Sequence, residues 1–180
     1  MRAKWNFFFF FSNEYYAMDI LALVLFAEFA PNPKLRKKAS YLLNLMLASV
    51  ASDLFYGNFA STHGRAYEDE ILSGWDFDMA PVCKLIWGMG TYGKEGASAA
   101  LTLAVCKNYS PLKPVIDLGK TQSEAILTYE RHGLSIETLK SKGISTDDIF
   151  NLPLFWALGA YTNQEILDLL IQGAERWNLW

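Results

Sequence analysis

Apolar residues recur three or four positions apart along most of this chain, which is the spacing of one face of an α-helix. The first such stretch runs from about Glu14 to Ala30. Ser12 or Asn13 is the expected N-cap, because both side chains can accept a hydrogen bond from the first helical N–H groups. Pro31 lies just beyond the other end, where a helix cannot continue. The pattern therefore predicts a first helix with defined ends.

A second helix is predicted after Asn32, with Pro33 at the first helical position, where the missing N–H has no partner to lose. Gly57 is expected to end it, because glycine adopts the left-handed conformation at low cost. Its apolar positions are Leu35, Ala39, Leu42, Leu43, Met46 and Val50. Since only a few residues separate the two helices, they are expected to form an antiparallel hairpin.

Helical patterns continue through the rest of the chain. A third helix is predicted from about Met79 to Met89, ending at Gly90, and a fourth from about Lys94 to Asn108. The small side chains of the fourth helix suit a central position. Three hydroxyl–acid pairs have the spacing of a capping box: Thr121 with Glu124, Ser145 with Asp148, and Thr162 with Glu165. The pattern predicts an all-α fold.

A short motif occurs twice. Ile86–Tyr92 and Phe155–Tyr161 share the pattern Trp-x-x-Gly-x-Tyr, each at the end of one predicted helix and before the next. Repetition of a helix–turn–helix unit indicates stacked antiparallel hairpins, as in a solenoid or an α/α toroid.

Composition suggests a chain with little free surface. Of the 180 residues, 52% are apolar and 15% aromatic, whereas only 19% are charged. This balance is typical of one part of a larger assembly. We therefore expect residues 1–180 to form a single helical domain that is an incomplete part of a larger α/α toroid, with the remainder of that toroid as a partner.

Several classes of function are disfavoured. A net charge of −3 provides no electrostatic footprint for nucleic acid, and the basic cluster Lys34–Lys38 is interpreted as a solvated helix face. Cys83 and Cys106 are expected to be free buried thiols, and two histidines do not make a zinc set, so no metal or cofactor is expected.

The N-terminal part has neither a signal-peptide pattern nor a membrane span. Phe7–Phe11 is too short for a signal sequence, and Ile20–Phe26 is much shorter than a transmembrane helix. No membrane partner is expected, and the cytoplasm is the favoured location.

The candidate site is the stretch Asn58–Glu68. In an extended conformation His63, Arg65 and Tyr67 project from the same face, because side chains alternate with a period of two. A donor, a fixed positive charge and a phenol on one face can bind an anion or move a proton. These three are the candidate catalytic residues. Four others are candidates for substrate binding: Asn58, Thr62, Tyr15 and Tyr16.

The residue types suit proton abstraction next to a carboxylate, as in β-elimination from a uronic acid. Arg65, with Asn58, would neutralise the substrate carboxylate and the enolate-like charge that develops from it. His63 and Tyr67 would serve as base and acid. Tyrosine has an ordinary pKa near ~10, so it needs a neighbouring cation to favour its charged form. The chain has no GxSxG motif and no phosphate-binding glycine loop, which leaves acyl and phosphoryl transfer poorly supported.

The same residues also have structural interpretations. His63 can be a hydrogen-bonded loop residue, Arg65 can pair with Glu68 or Asp69, and Tyr67 can pack against a neighbour. The alternative to an enzyme is therefore a non-catalytic helical scaffold or a carbohydrate-binding module.

Segments spread over most of the chain resemble a group of largely uncharacterised bacterial proteins. They are Ser12–Asp19, Phe29–Pro33, Ser61–Glu68, Phe155–Tyr161 and Glu175–Trp180, and the most specific element is Ser-x-His-Gly-Arg-x-Tyr-Glu. The members of that group are much longer than this chain. The resemblance implies an α/α toroid of the kind found in heparinase- and alginate-lyase-like proteins, and thus an acidic oligo- or polysaccharide as ligand.

One departure from the group affects the mechanism. Such proteins tend to have Gly-Phe-Ser-Glu before the first helix, where this chain has Asn6 to Phe9. The missing glutamate weakens a glycosidase mechanism with two carboxylates. The leading hypothesis is a polysaccharide-lyase-like protein that binds an acidic polysaccharide and cleaves it by β-elimination.

Overall fold

A computed structural model of the chain describes residues 12, 15–60, 67–73, 75–92, 97–120, 127–129, 135–156 and 163–180. Over these residues the structure is mostly helical, with one short two-stranded sheet. This confirms the predicted all-α class, whereas the toroid arrangement stays a prediction. The chain divides into two compact units, the larger covering Phe9–Thr128 and the smaller containing Tyr129–Trp180. Contact density alone does not define a folding domain, so the expected single domain also stays a prediction.

The larger unit contains six helices and both strands among the residues described. They are α1 (Tyr15–Phe29), α2 (Pro33–Ser52), β1 (Leu54–Phe55), β2 (Asn58–Phe59), α3 (Glu68–Leu72), α4 (Ala80–Trp87), α5 (Ala97–Ala104) and α6 (Lys113–Lys120). The described part of the smaller unit contains α7 (Ile136–Ser141), a 3₁₀ turn (Ile149–Asn151), α8 (Leu152–Trp156) and α9 (Gln164–Arg176).

The first two helices form the predicted hairpin. The side chain of Asn32 accepts a hydrogen bond from the N–H of Lys34 at 2.9 Å, so it caps α2 as its sequence position predicts. Nη1 of Arg36 donates to the carbonyl of Ala30 at 3.0 Å and ties the connecting turn to the second helix. α1 and α2 pack along each other, and the short connection between them makes the pair antiparallel.

The core of the larger unit lies where α1, α2, α4 and α5 meet. α1 packs against both α2 and α5, and α4 packs against α5. Fully buried side chains from these helices include Ile20, Val24, Leu43, Met46, Leu47, Val50, Val82 and Cys83. Burial raises the pKa of the Cys83 thiol, because the thiolate is disfavoured in an apolar environment. Cys83 and Cys106 are both free thiols, and Cys106 is only partly buried.

Trp87 joins α4 to α6. Its Nε1 donates to the carbonyl of Val115 at 3.2 Å, and its side chain is buried. Gly119 allows this packing, since a Cβ at that position would lie 2.3 Å from the indole nitrogen.

A buried carboxylate connects the end of α1 to the segment after α5. Glu28 accepts hydrogen bonds from the backbone N–H of Asn108 at 2.8 Å and of Lys107 at 3.1 Å, and from the Asn108 side chain at 3.2 Å. The hydrogen bond from Asn108 is the main cause that lowers the pKa of Glu28 below its ordinary value. The charge of Glu28 therefore stabilises a contact between positions about 80 residues apart.

The smaller unit has its own apolar core, made by Leu139, Ile144 and Phe155, with Ile136 and Ile166 beside it. Asn163 caps α9 by accepting from the N–H of Ile166 at 3.3 Å.

The capping boxes predicted for this region are corrected by the structure where it describes them. Ser145 bonds to Asp147 rather than capping a helix, and Asp148 itself accepts from the N–H of Phe150 to begin the 3₁₀ turn. Asp148 can cap the 3₁₀ turn without the Ser145 hydroxyl, because a carboxylate is a stronger hydrogen-bond acceptor than a hydroxyl. Thr121, Glu124 and Thr162 lie outside the described residues.

The prediction that Gly57 ends α2 is wrong. α2 ends at Ser52, and the N–H of Asp53 donates to the carbonyl of Val50 at its end. Gly57 has the expected positive φ of 80°, but it lies in the turn between β1 and β2. The helix predicted from Met79 to Met89 is α4, and it also ends earlier than predicted, at Trp87. Gly88, with a φ of 81°, follows it.

We expect Glu28→Gln to destabilise the larger unit at neutral pH, because the amide can accept fewer of the N–H bonds and carries no charge. The folded-state pKa is lowered, so the carboxylate contributes stability above its ordinary pKa of 4.5 and loses it as pH falls through the lower folded value. Urea unfolding at pH 7 and pH 3 measures this. The difference in midpoint between Glu28→Gln and the unmodified chain should be large at pH 7 and smaller at pH 3. Glu175→Gln, the same change at an exposed position of α9, should leave both midpoints unchanged.

Candidate functional site

The β-hairpin presents two aromatic rings to solvent. β1 and β2 pair with Leu54 opposite Phe59 and Phe55 opposite Asn58, which leaves a two-residue loop of Tyr56 and Gly57. Both loop residues have positive φ, 50° and 80°, as this tight hairpin turn requires. The rings of Phe55 and Tyr56 lie edge to face with centroids 4.7 Å apart, and they are 44% and 52% exposed.

The turn is fixed in place by close backbone packing. A Cβ on Gly57 would lie 2.6 Å from the backbone N of Gly90 and from the Cβ of Met89, so only glycine fits at this contact. Gly90 in turn lies next to the ring of Trp75, and the hydroxyl of Thr91 donates to the Trp75 carbonyl at 3.1 Å. The first copy of the repeated motif, Ile86–Tyr92, thus supports the hairpin. The second copy lies largely outside the described residues.

A cavity of about 300 Å³ opens beside the hairpin. Its lining residues are Ser52, Asp53, Leu54, Phe55, Ala60 and Thr128. Oγ1 of Thr128 donates to Oδ1 of Asp53 at 3.3 Å, and the N–H of Ala60 donates to the Asp53 carbonyl at 3.0 Å. The cavity therefore combines a carboxylate and hydroxyls with one exposed aromatic ring.

The described residues that line this cavity give it a negative electrostatic character. Asp53 is the C-cap of α2, a 20-residue helix, and the C-terminal end of a helix carries a partial negative charge. The carboxylate and the helix end add to each other. The cavity thus suits groups that donate hydrogen bonds, such as hydroxyls, and disfavours an anion in direct contact with Asp53.

The predicted catalytic residues are only partly described. Tyr67 is 43% exposed and precedes α3, where its backbone N–H donates to Oε2 of Glu70 at 2.8 Å. His63 and Arg65 lie outside the described residues, and so does Thr62. Their common face with Tyr67 stays a prediction.

The predicted binding residues have different environments. Asn58 is half-buried in β2, opposite Phe55. Tyr15 is half-buried at the start of α1, where its N–H donates to the Ser12 hydroxyl at 3.1 Å. Tyr16 is only 1% exposed and stacks on Phe59 at 6.2 Å between centroids, which places it in the core rather than at a cleft mouth.

Sequence reasoning did not identify the residues that form the cavity. Tyr56-Gly57 is not one of the common hairpin dipeptides, and it follows directly on a helical pattern, where a glycine predicts a helix end. Asp53 and Thr128 are 75 positions apart, and no local pattern connects them.

Comparison with known proteins gave no match to a protein family, to a curated protein or to a solved structure. Among the helices described, none has both the length and the apolar character required to cross a lipid bilayer.

We expect Gly57→Ala to destabilise the larger unit by more than about 2 kcal/mol, because the new Cβ combines an unfavourable φ with the overlap against Met89 and Gly90. The matched control is Gly88→Ala. Gly88 has nearly the same φ of 81° but nothing within 4 Å of an added Cβ, so it should lose only about 1 kcal/mol. Urea unfolding of the three proteins gives both values. Equal losses for the two variants would show that the hairpin turn is not held by this contact.

Proposed function

We propose that this chain binds a carbohydrate at the β-hairpin. The observation that carries the proposal is an open polar cavity lined by the exposed ring of Phe55, against which the exposed ring of Tyr56 packs edge to face. A sugar has a C–H face that packs on an aromatic ring and a rim of hydroxyls that need hydrogen-bond partners.

Each group at the cavity has a role in this proposal. In this proposal sugar hydroxyls donate to Oδ1 of Asp53, because Oδ2 is buried, and the hydrogen bond from Thr128 to the same Oδ1 keeps the carboxylate oriented. The rings of Phe55 and Tyr56 provide a surface for stacking, since about half of the surface of each residue is exposed to solvent. A cavity of about 300 Å³ lies at the lower end of the range for small-ligand sites, which fits one or two sugar rings.

The acidic polysaccharide expected from the sequence is compatible with this site only in one orientation. Its carboxylates must point away from Asp53, because like charges repel strongly at short distance. Ala60 lines the cavity and directly precedes the stretch with His63 and Arg65 in sequence. We therefore propose that Arg65 binds the anionic groups of the glycan while a sugar ring occupies the cavity. This makes the carbohydrate-binding module the function best supported, and cleavage by β-elimination an additional prediction.

Binding is tested with a panel of neutral and acidic polysaccharides by affinity electrophoresis, followed by calorimetry on those that bind. Phe55→Ala and Asp53→Asn should each weaken binding about tenfold or more, because each removes one central contact. Tyr41→Ala is the control, as Tyr41 is an exposed aromatic residue of α2 that does not line the cavity. If no polysaccharide binds, or if both site variants bind as tightly as the unmodified chain, the proposal is wrong.

Cleavage is tested separately on the acidic glycans that bind. β-Elimination creates an unsaturated uronate, so absorbance near 230 nm should rise, and His63→Ala and Tyr67→Phe should each abolish at least about 99% of that rise. The binding of the substrate should remain in the Tyr67→Phe variant. Binding without any rise in absorbance would remove the lyase prediction and leave the binding module.

A further inference from the structure

α1 is apolar on two opposite faces. One face packs into the core of the larger unit through Ala17, Ile20, Val24 and Ala27, all of which are buried. The opposite face carries an exposed stripe, defined here as Met18, Ala22, Leu25 and Phe29. The three large members are 58%, 44% and 65% exposed, respectively. A helix that covers a core on one side normally has charged and polar residues on the other, so this stripe is unusual.

No charge interrupts the exposed stripe. The only charged residues of α1 are Asp19 and Glu28. Glu28 is buried and bonded to Lys107 and Asn108, and Asp19 is half-buried beside the stripe. Phe26, 51% exposed, extends the apolar surface on one flank. The four residues of the stripe therefore offer apolar area without a charge, and Asp19 lies at the edge of that area.

The members of the stripe follow a coiled-coil spacing. They are separated by four, three and four positions, which is the alternation of core positions in a heptad repeat. The stripe is also complementary to itself when two helices run antiparallel. With a two-fold axis midway between Ala22 and Leu25, Ala22 meets Leu25 of the second copy, and Met18 meets Phe29 of the second copy. Each small or flexible side chain then faces a large one, which is the arrangement that fills space without overlap.

We propose that two copies of this chain associate through the exposed stripe of α1, with the two α1 helices antiparallel about a two-fold axis. The 15 residues of α1 span about 22 Å, enough for two turns of contact on each side of the axis. Complete burial of the exposed parts of these four residues in both copies removes about 700–800 Å² from water, less than the roughly 1,000 Å² of a stable interface, so the dimer is expected to be weak. The self-complementary pairing of sizes favours a second copy over an unrelated helix, because an isologous contact needs the same surface on both partners.

The first test is the oligomeric state of the full chain between about 1 and 300 μM by sedimentation equilibrium. The chain should form a dimer that dissociates on dilution, and Leu25→Lys should raise the dissociation constant about tenfold or more, because it places a charge at the centre of the interface. Ile71→Lys is the control: Ile71 is 73% exposed on α3 and is not part of the stripe, so its dimer should be unchanged. Circular dichroism verifies that both variants keep their helix content.

The second test determines the orientation. Ala22→Cys and Leu25→Cys chains are prepared separately, oxidised alone and as a mixture, and compared with the unmodified chain to account for Cys83 and Cys106. The antiparallel pairing predicts a disulfide between the two different variants in the mixture and little linkage of either variant with itself. Linkage of each variant only with itself would overturn the antiparallel arrangement. A monomer at every concentration would overturn the dimer and leave further helices of a larger toroid as the cover of the stripe.

Discussion

The close contact of Gly57 with Met89 and Gly90 determines the geometry of the candidate site. Without a side chain at residue 57, the hairpin turn can pack directly on the backbone that follows α4. This contact holds β1 and β2 against the end of one helix while Asp53 stays at the end of another. The cavity and the two exposed rings lie close together because the hairpin turn, the end of α2 and the backbone after α4 meet near Gly57. A side chain at residue 57 would push the hairpin turn away from Met89 and Gly90.

The larger unit depends in a similar way on α1. Its core face packs against α2 and α5. At its end, several hydrogen bonds to Glu28 offset the unfavourable burial of that carboxylate. A buried carboxylate is stable only where N–H groups surround it, and the backbone of Lys107 and Asn108 supplies them. The segment between α5 and α6 is thus bonded to α1 through Glu28, and the N–H of Leu112 also donates to Oδ1 of Asn44 in α2. The contact made by Glu28 therefore contributes both to the stability of the larger unit and to the dependence of that stability on pH.

Local features of the fold could be predicted from the sequence, and long-range ones could not. Asn32 and Pro33 mark the start of α2 because capping and proline geometry depend only on adjacent residues. Gly57 was correctly expected to have positive φ, but the same preference serves a helix end and a tight hairpin turn. The choice between them is made by Met89 and Gly90, more than 30 positions away. The cavity is beyond local reasoning for the same reason, since Thr128 and Asp53 meet only in the folded chain.

Composition and structure together explain why an apolar surface is left over. A chain with 52% apolar and 19% charged residues cannot cover all of its surface with polar groups. Part of the apolar excess must therefore lie on the surface, where single scattered apolar residues are common. On α1 the excess is instead concentrated in one uncharged stripe with heptad spacing, opposite the face that packs into the core. Concentration and regular spacing are the properties that distinguish a surface selected for contact with another helix from one that is only incidentally apolar.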